Sequence, residues 1–344
     1  MKRFAYCTLL SVLIFSMLLL SGCSLLMPQK QPQILNTYPK ETAPSQVIKA
    51  GEQWVLLRST YGGQNYTISG GEDSNPTNNI YSVGDVSIWY FEANKNGVVW
   101  CEKSQEFYTY KIYVFETQKV ETVFQVAVDK GYQPQNIGIY LNTVYYCAIN
   151  YDSQEVQVIA YDITTKATSD VYKVEFDEAK QPYSINLENE YLSFVCSEQI
   201  KVLNLQNSET VFDSTLPEAV KHVFCVSYDI QNDTCALYYA DNDSEDIGIL
   251  KEGQTEIASV FTFSQNHYAY QDKIECYDGH IYWIAQANVS GNITNHYTFV
   301  DYNYLDHKPT EIDRTFSFYR NESELYLLRF NKNGNYTHID LCQP

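Results

Sequence analysis

The chain has 344 residues, 42 Asp and Glu against 23 Lys and Arg, a formal net charge of −19, and 15% aromatic residues, 31 of them Tyr. A chain this acidic repels nucleic acid and anionic lipid head groups, so neither nucleic-acid binding nor membrane attachment through a basic patch is expected. Nine Cys without a CxxC pair and six His with no close spacing disfavour a zinc centre and thioredoxin-like chemistry.

The first element is apolar. Lys2 and Arg3 open it, the next charge is Lys30, and the run LLSVLIFSMLLL between them reads as the hydrophobic region of a secretory signal. It ends in Leu20-Ser21-Gly22-Cys23, which resembles the lipobox of bacterial lipoproteins. The resemblance implies a signal peptide over residues 1–22, a diacylglyceryl group on the sulfur of Cys23, and a place on the extracytoplasmic face of the cell membrane. Cleavage there removes two basic residues and no acidic ones, leaving 21 against 42 and a mature charge of −21. Anchoring would then rest on the acyl chains. Residues 23–44, rich in Pro, Gln and Lys, read as a tether.

From residue 45 to 344 the chain is strand-like throughout. Runs of Val, Ile, Tyr, Phe and Thr are broken by Asn, Asp, Gly and Ser, and no long helical period is present. QWVLLRS, GVVWCEK, NTVYYCAI, YLSFVCSE, CALYYAD, HIYWIAQ and ELYLLRF share a register at positions 57, 101, 147, 196, 240, 284 and 328, spaced by 44, 46, 49, 44, 44 and 44 residues. A spacing near 44 is that of a four-stranded propeller blade. The class is therefore all-β, a single β-propeller of seven four-stranded blades over residues 45–344. The seventh unit ends at YTHIDLCQP without a fourth strand. Closure of the ring is expected to draw that strand from Gln33 to Thr37, within the tether.

DGHIYWIA, Asp278 to Ala285, resembles the D-G-x-I-Y-Y strand of secreted bacterial propellers, a group that includes TolB-like, YWTD-like and uncharacterised lipoprotein propellers. The resemblance implies fold and not function. W-D dipeptides closing the units, a kelch double glycine recurring from unit to unit and the S-x-D-x-G-x-T-W box of sialidases are missing from the sequence.

Candidate chemistry is sparse. Most tyrosines read as packing between blades, and those in connectors, Tyr61, Tyr302 and Tyr304, are the better contact candidates. The acids of DNDSEDIGILKE, Asp241 to Glu252, partly imitate a calcium loop, but Asp246 occupies the turn-glycine position, so a charged hairpin is the better reading and no metal ligand is assigned. Cys225 and Cys235 flank a hairpin and would either bridge it or stay free and buried, the second being favoured. There is no G-x-S-x-G elbow, and acids are too abundant for any pair to stand out, so no catalytic residue and no cofactor is assigned. The chain reads as a membrane-anchored binding or scaffold module for a protein, glycan or peptide ligand. The alternative is an envelope enzyme acting on glycans or peptides at the channel mouth. Ala285 to His296, AQANVSGNITNH, is the longest connector between second and third strands and the first candidate for a recognition loop.

Overall fold

The computed structural model describes residues 32–59, 65–175, 183–196, 198–242, 244–263, 267–287, 297–321 and 324–342. In it the seven register positions fall one each into the strands Gln53–Ser59, Gly97–Lys103, Thr143–Asn150, Tyr191–Cys196, Thr234–Ala240, His280–Ala287 and Leu325–Phe330. Each is the second strand of a four-stranded antiparallel sheet, and there are seven such sheets. Contacts between successive sheets, made through their innermost strands except at the junction of the sixth and seventh and including the seventh with the first, close them into a ring. The fold is a seven-bladed β-propeller.

The physical reason for the 44-residue signal is burial on both faces. Gly97–Lys103 has six of its seven residues buried, and Thr143–Asn150 six of eight. Such strands read as continuous apolar runs, because blades press on them from either side. The fourth strands are the outer edges, and Thr168–Glu175 and Lys308–Asp313 are mostly exposed and charged, which blunts edge pairing. The Asp278–Gly279 pair makes the tightest sequence-legible hairpin. Its φ angles of 47° and 82° suit the type I′ turn that Asp-Gly favours.

Side chains of the innermost strands tie one blade to the next. The Tyr90 hydroxyl donates to the Pro134 carbonyl (3.3 Å), Asn136 Nδ2 to Ile185 (3.4 Å), Ser184 Oγ to Phe224 (3.3 Å) and Tyr319 to Lys49 across the ring closure (3.2 Å). The seventh blade borrows its outer strand. Gln33–Pro39 pairs antiparallel with Tyr336–Cys342, with Thr37 opposite His338 and Tyr38 opposite Thr337. Tyr38 is 3% exposed and packs with Val47, Trp54, Leu56, Tyr326, Leu328 and Ile339, so the N-terminal strand is sealed against both the last blade and the first.

All seven described cysteines are free. Cys225 lies opposite Tyr238 and Cys235 opposite Tyr228, and they serve different apolar clusters, so they do not bridge the hairpin. Burial pushes the Cys101 and Cys147 thiols up, that of Cys147 to about 12, as expected of inert filler.

Candidate functional site

The seven innermost strands are Gln46–Ala50, Ser87–Asn94, Tyr132–Tyr140, Tyr183–Glu188, His222–Asp229, His267–Tyr277 and Thr315–Arg320. They surround a cavity of about 580 Å³ on the ring axis. Gln46, His222 and Phe316, at the starts of their strands, line it, so it reaches the end of the channel bordered by the connectors between second and third strands.

Bulges aim side chains into this space. Tyr90 sits at the register shift between Trp89 and Phe91 with φ 52°, a left-handed backbone that a tyrosine rarely adopts, and its ring is 37% exposed on the cavity wall. The register of His267–Tyr277 breaks between Ala269 and Ile274, and that break places Tyr270 and Lys273 at the cavity. Amides from three further strands, Gln46, Gln135, Asn136 and Asn186, complete a polar wall.

Deeper lies a charge cluster drawn from four blades: Glu92, Glu188, Lys273, Glu275 and Arg320. Lys273 Nζ is 2.8 Å from Glu275 Oε1, and Arg320 Nε is 3.8 Å from Glu275 Oε2. The Arg320 guanidinium also covers the Tyr277 ring at 4.1 Å, and Lys273 the Phe318 ring at 5.2 Å. The Ser227 hydroxyl lies 3.0 and 2.9 Å from the two Glu188 oxygens and accepts the Cys276 N–H at 2.7 Å. Glu92 lines the cavity and accepts no hydrogen bond from any described residue; the charges acting on it are Lys273 and Glu275.

Glu92 and Lys273 line the cavity, with Glu92 half-buried and the Lys273 side chain 42% exposed, whereas the side chains of Glu275 and Arg320 are 12% and 11% exposed, so water screens the inner part of the cluster less than the outer. Loss of solvation, with repulsion from Glu275, raises the Glu92 carboxyl to about 7 against the attraction of Lys273. Glu188 is raised for the same two reasons, burial first. Lys273 is raised because its carboxylate neighbours outweigh the burial that opposes its charge. Tyr319, beside the cluster, is pushed up by burial and by Glu92 and Glu275.

The residues singled out from sequence fall elsewhere. Tyr304 is 3% exposed and donates to buried Asp229 Oδ2 at 2.8 Å, which makes it a link within the blade stack and not a contact residue. Tyr302 packs on Trp283 at 6.5 Å between centroids. Ala285–Ala287 belong to a second strand, so the recognition loop does not begin at Ala285; its residues 288–296 lie outside the described residues, as do Cys23, Tyr61 and Asp243. Asp246 stands in the strand Glu245–Lys251 and is bonded by Ser244, Ser259 and Thr262, while Glu245 accepts the Tyr238 hydroxyl at 2.6 Å. Among the described residues no three His, Cys, Asp or Glu groups converge on a possible metal position.

No family model matches the chain, and no curated protein matches it. Solved structures do. The β-propeller domain of the trilobed protease from Pyrococcus furiosus aligns at TM-score 0.57 and 9% identity, over 89% of this chain and 96% of that one. The β-propeller domain of Cps50 (Swd1) from Myceliophteria thermophila aligns at TM-score 0.52 and 9% identity, over 90% and 99%. BamB from Moraxella catarrhalis aligns at TM-score 0.50 and 8% identity, over 90% and 100%. At such identities the likeness shows the fold alone.

Proposed function

We propose that this protein is a lipid-anchored extracytoplasmic binding module, held to the cell membrane through Cys23, whose propeller channel receives a ligand. The observation that carries the reading is the cavity of about 580 Å³, a size suited to a small molecule or the end of a larger one, walled by amides and tyrosines and reached by Glu92 and Lys273 of the charge cluster. That the fold is shared with propellers of several kinds, BamB among them, fits a binding role. Anchoring is tested by metabolic labelling with an alkyne fatty acid. Label on the wild type and none on Cys23→Ser is expected, and equal labelling removes the anchor. Binding is tested by following the melting temperature of the purified chain against glycans, cell-wall fragments and peptides. A ligand at a hundred times its Kd adds about 2.7 kcal/mol of stability. A shift that Tyr90→Ala or Asn136→Ala reduces supports the channel; shifts indifferent to both place binding elsewhere.

A hydrolytic reading has one observation in its favour. Glu92 is a cavity carboxyl raised to about 7, a state suited to a general acid. Release of product from the same glycan and peptide panel, lost in Glu92→Gln, would favour it over binding alone.

A further inference from the structure

The channel cluster holds three carboxyls and two cations, and its members are not equally partnered. Glu275 receives both Lys273, at 2.8 Å, and Arg320, at 3.8 Å. Glu188 holds the Ser227 hydroxyl on both oxygens. Glu92 receives neither a cation in contact nor a hydrogen bond from any described residue, although it is half-buried and faces the cavity. A half-buried carboxyl with no protein donor is open to a cation bearing N–H groups, which gives it charge-assisted hydrogen bonds that the protein does not.

We propose that the cavity receives a ligand bearing a primary ammonium, which docks against Glu92 while its polar body lies along the amides of Gln135, Asn136 and Asn186. The inference rests on the reading of the channel as the binding site and names the chemistry it selects. Four features favour this class. The cluster is one positive charge short of balance, so a cation completes it where an anion would add to the excess. Lys273, which lines the cavity, is already engaged by Glu275. An ammonium carries three donors and can face both Glu92 and the rings of Tyr90 and Tyr270, which border the same space. A divalent metal is disfavoured by the absence of a converging ligand set among the described residues. The raised Glu92 supports the same picture, since an ammonium would draw it into the ionised form and expel its proton.

An amino sugar and the free N-terminus of a peptide share this chemistry, and the test separates them. Isothermal titration of the full chain in detergent micelles would use glucosamine, N-acetylglucosamine and glucose in one arm, and glycylglycine and N-acetylglycylglycine in the other, at millimolar concentration. The expected result is binding of glucosamine, glycylglycine or both, at least tenfold weaker binding of their acetylated or neutral counterparts, and at least tenfold loss in Glu92→Gln. At pH 6 binding should release a proton from Glu92, read as a dependence of the heat on the buffer's ionisation enthalpy, and at pH 8, where about half of the free amine is neutral, it should instead take up a proton onto the amine. Acetylated and free probes binding alike would overturn the proposal, as would amine binding unchanged in Glu92→Gln, or no amine binding at all. Acetylation alters only the probe, so this arm stands even if Glu92→Gln folds poorly. Channel-dependent binding of neutral glycans or blocked peptides would sink the ammonium and keep the channel reading. No response from any probe, with Tyr90→Ala and Asn136→Ala also silent, would sink both.

Discussion

Leu141 carries a left-handed backbone, φ 49°, in the turn between Tyr132–Tyr140 and Thr143–Asn150, and 53% of it is exposed. Its carbonyl is held from the neighbouring blade by Asn94 Nδ2 at 3.0 Å and Asn96 Nδ2 at 2.8 Å. The contacts thus belong to the backbone, while the side chain adds a strain of roughly 1–2 kcal/mol. Leu141→Gly keeps the clamp, and after the extra entropy of an unfolded glycine it should stabilise by up to about 1 kcal/mol. A lower melting temperature would show that the exposed leucine packs usefully. A second residue shows the opposite economy. Glu102 accepts Trp100 Nε1 at 2.8 Å and pairs with Lys111 at 3.0 Å, with side chains only 7% and 18% exposed, and Lys111 also donates to Tyr81 at 2.5 Å. Glu102→Ala leaves a buried ammonium and an indole N–H without their acceptor and should cost about 3–5 kcal/mol in urea unfolding. The exposed Lys166–Glu121 pair is the control, since Glu121→Ala should cost less than about 1 kcal/mol. Equal losses at the two sites would mean that burial does not set the value of these pairs.

At the level of the strand, legibility follows burial. Second strands announce themselves because nearly every position is covered, and this is why a register of seven apolar runs survives in a chain whose blades share little else. Outer strands are harder to see: Asn78–Gly84 and Lys308–Asp313 are largely exposed, carry no apolar alternation, and pass for connectors when read alone. The N-terminal strand Gln33–Pro39 is equally weak as a pattern, with one buried residue, and only the missing partner of the last blade points to it. Its weight lies in Tyr38, buried among residues of two blades and bonded to the Ser74 carbonyl at 2.5 Å. Tyr38→Ala should therefore cost about 3–5 kcal/mol, a fall of many degrees in the melting temperature, although five blades are untouched. Tyr38→Phe, which keeps the ring and loses one hydrogen bond, should cost about 1 kcal/mol. If Tyr38→Ala unfolds at the wild-type temperature, the ring does not depend on its closing strand.

The channel belongs to the whole molecule, and for that reason it could not be read from sequence. Glu92, Glu188, Lys273, Glu275 and Arg320 stand on four innermost strands, with up to 228 positions between them, and each sits in an unremarkable strand pattern. Ring closure brings them together, and register breaks in the innermost strands, those at Tyr90, Gln135 and between Ala269 and Ile274 among them, place side chains on the channel wall. Their shared field gives the protein a pH dependence with a definite sign. In the unfolded chain Glu92 loses its proton near the ordinary 4.5, whereas in the folded protein it keeps it to about 7. Between those values the native state binds more protons than the unfolded state, so stability is greatest at the acid side of the window and falls as pH rises through it. Glu92 alone contributes on the order of 3 kcal/mol to that fall, as an upper figure reduced by whatever water enters the channel. Glu188, also raised, acts in the same direction, and so does His280, whose raised value comes from its bond to Asp301 at 2.6 Å. Lys273 and Tyr319, beside the cluster, do not reverse the sign, because both are raised: Lys273 stays charged throughout the window and Tyr319 stays neutral. Glu92→Gln removes one titration and leaves the others. Its melting temperature should therefore gain on the wild type steadily from pH 5 to pH 8, flattening the profile. A constant difference between the two proteins across that range would mean that Glu92 does not titrate there, and that the channel is wet enough to solvate it.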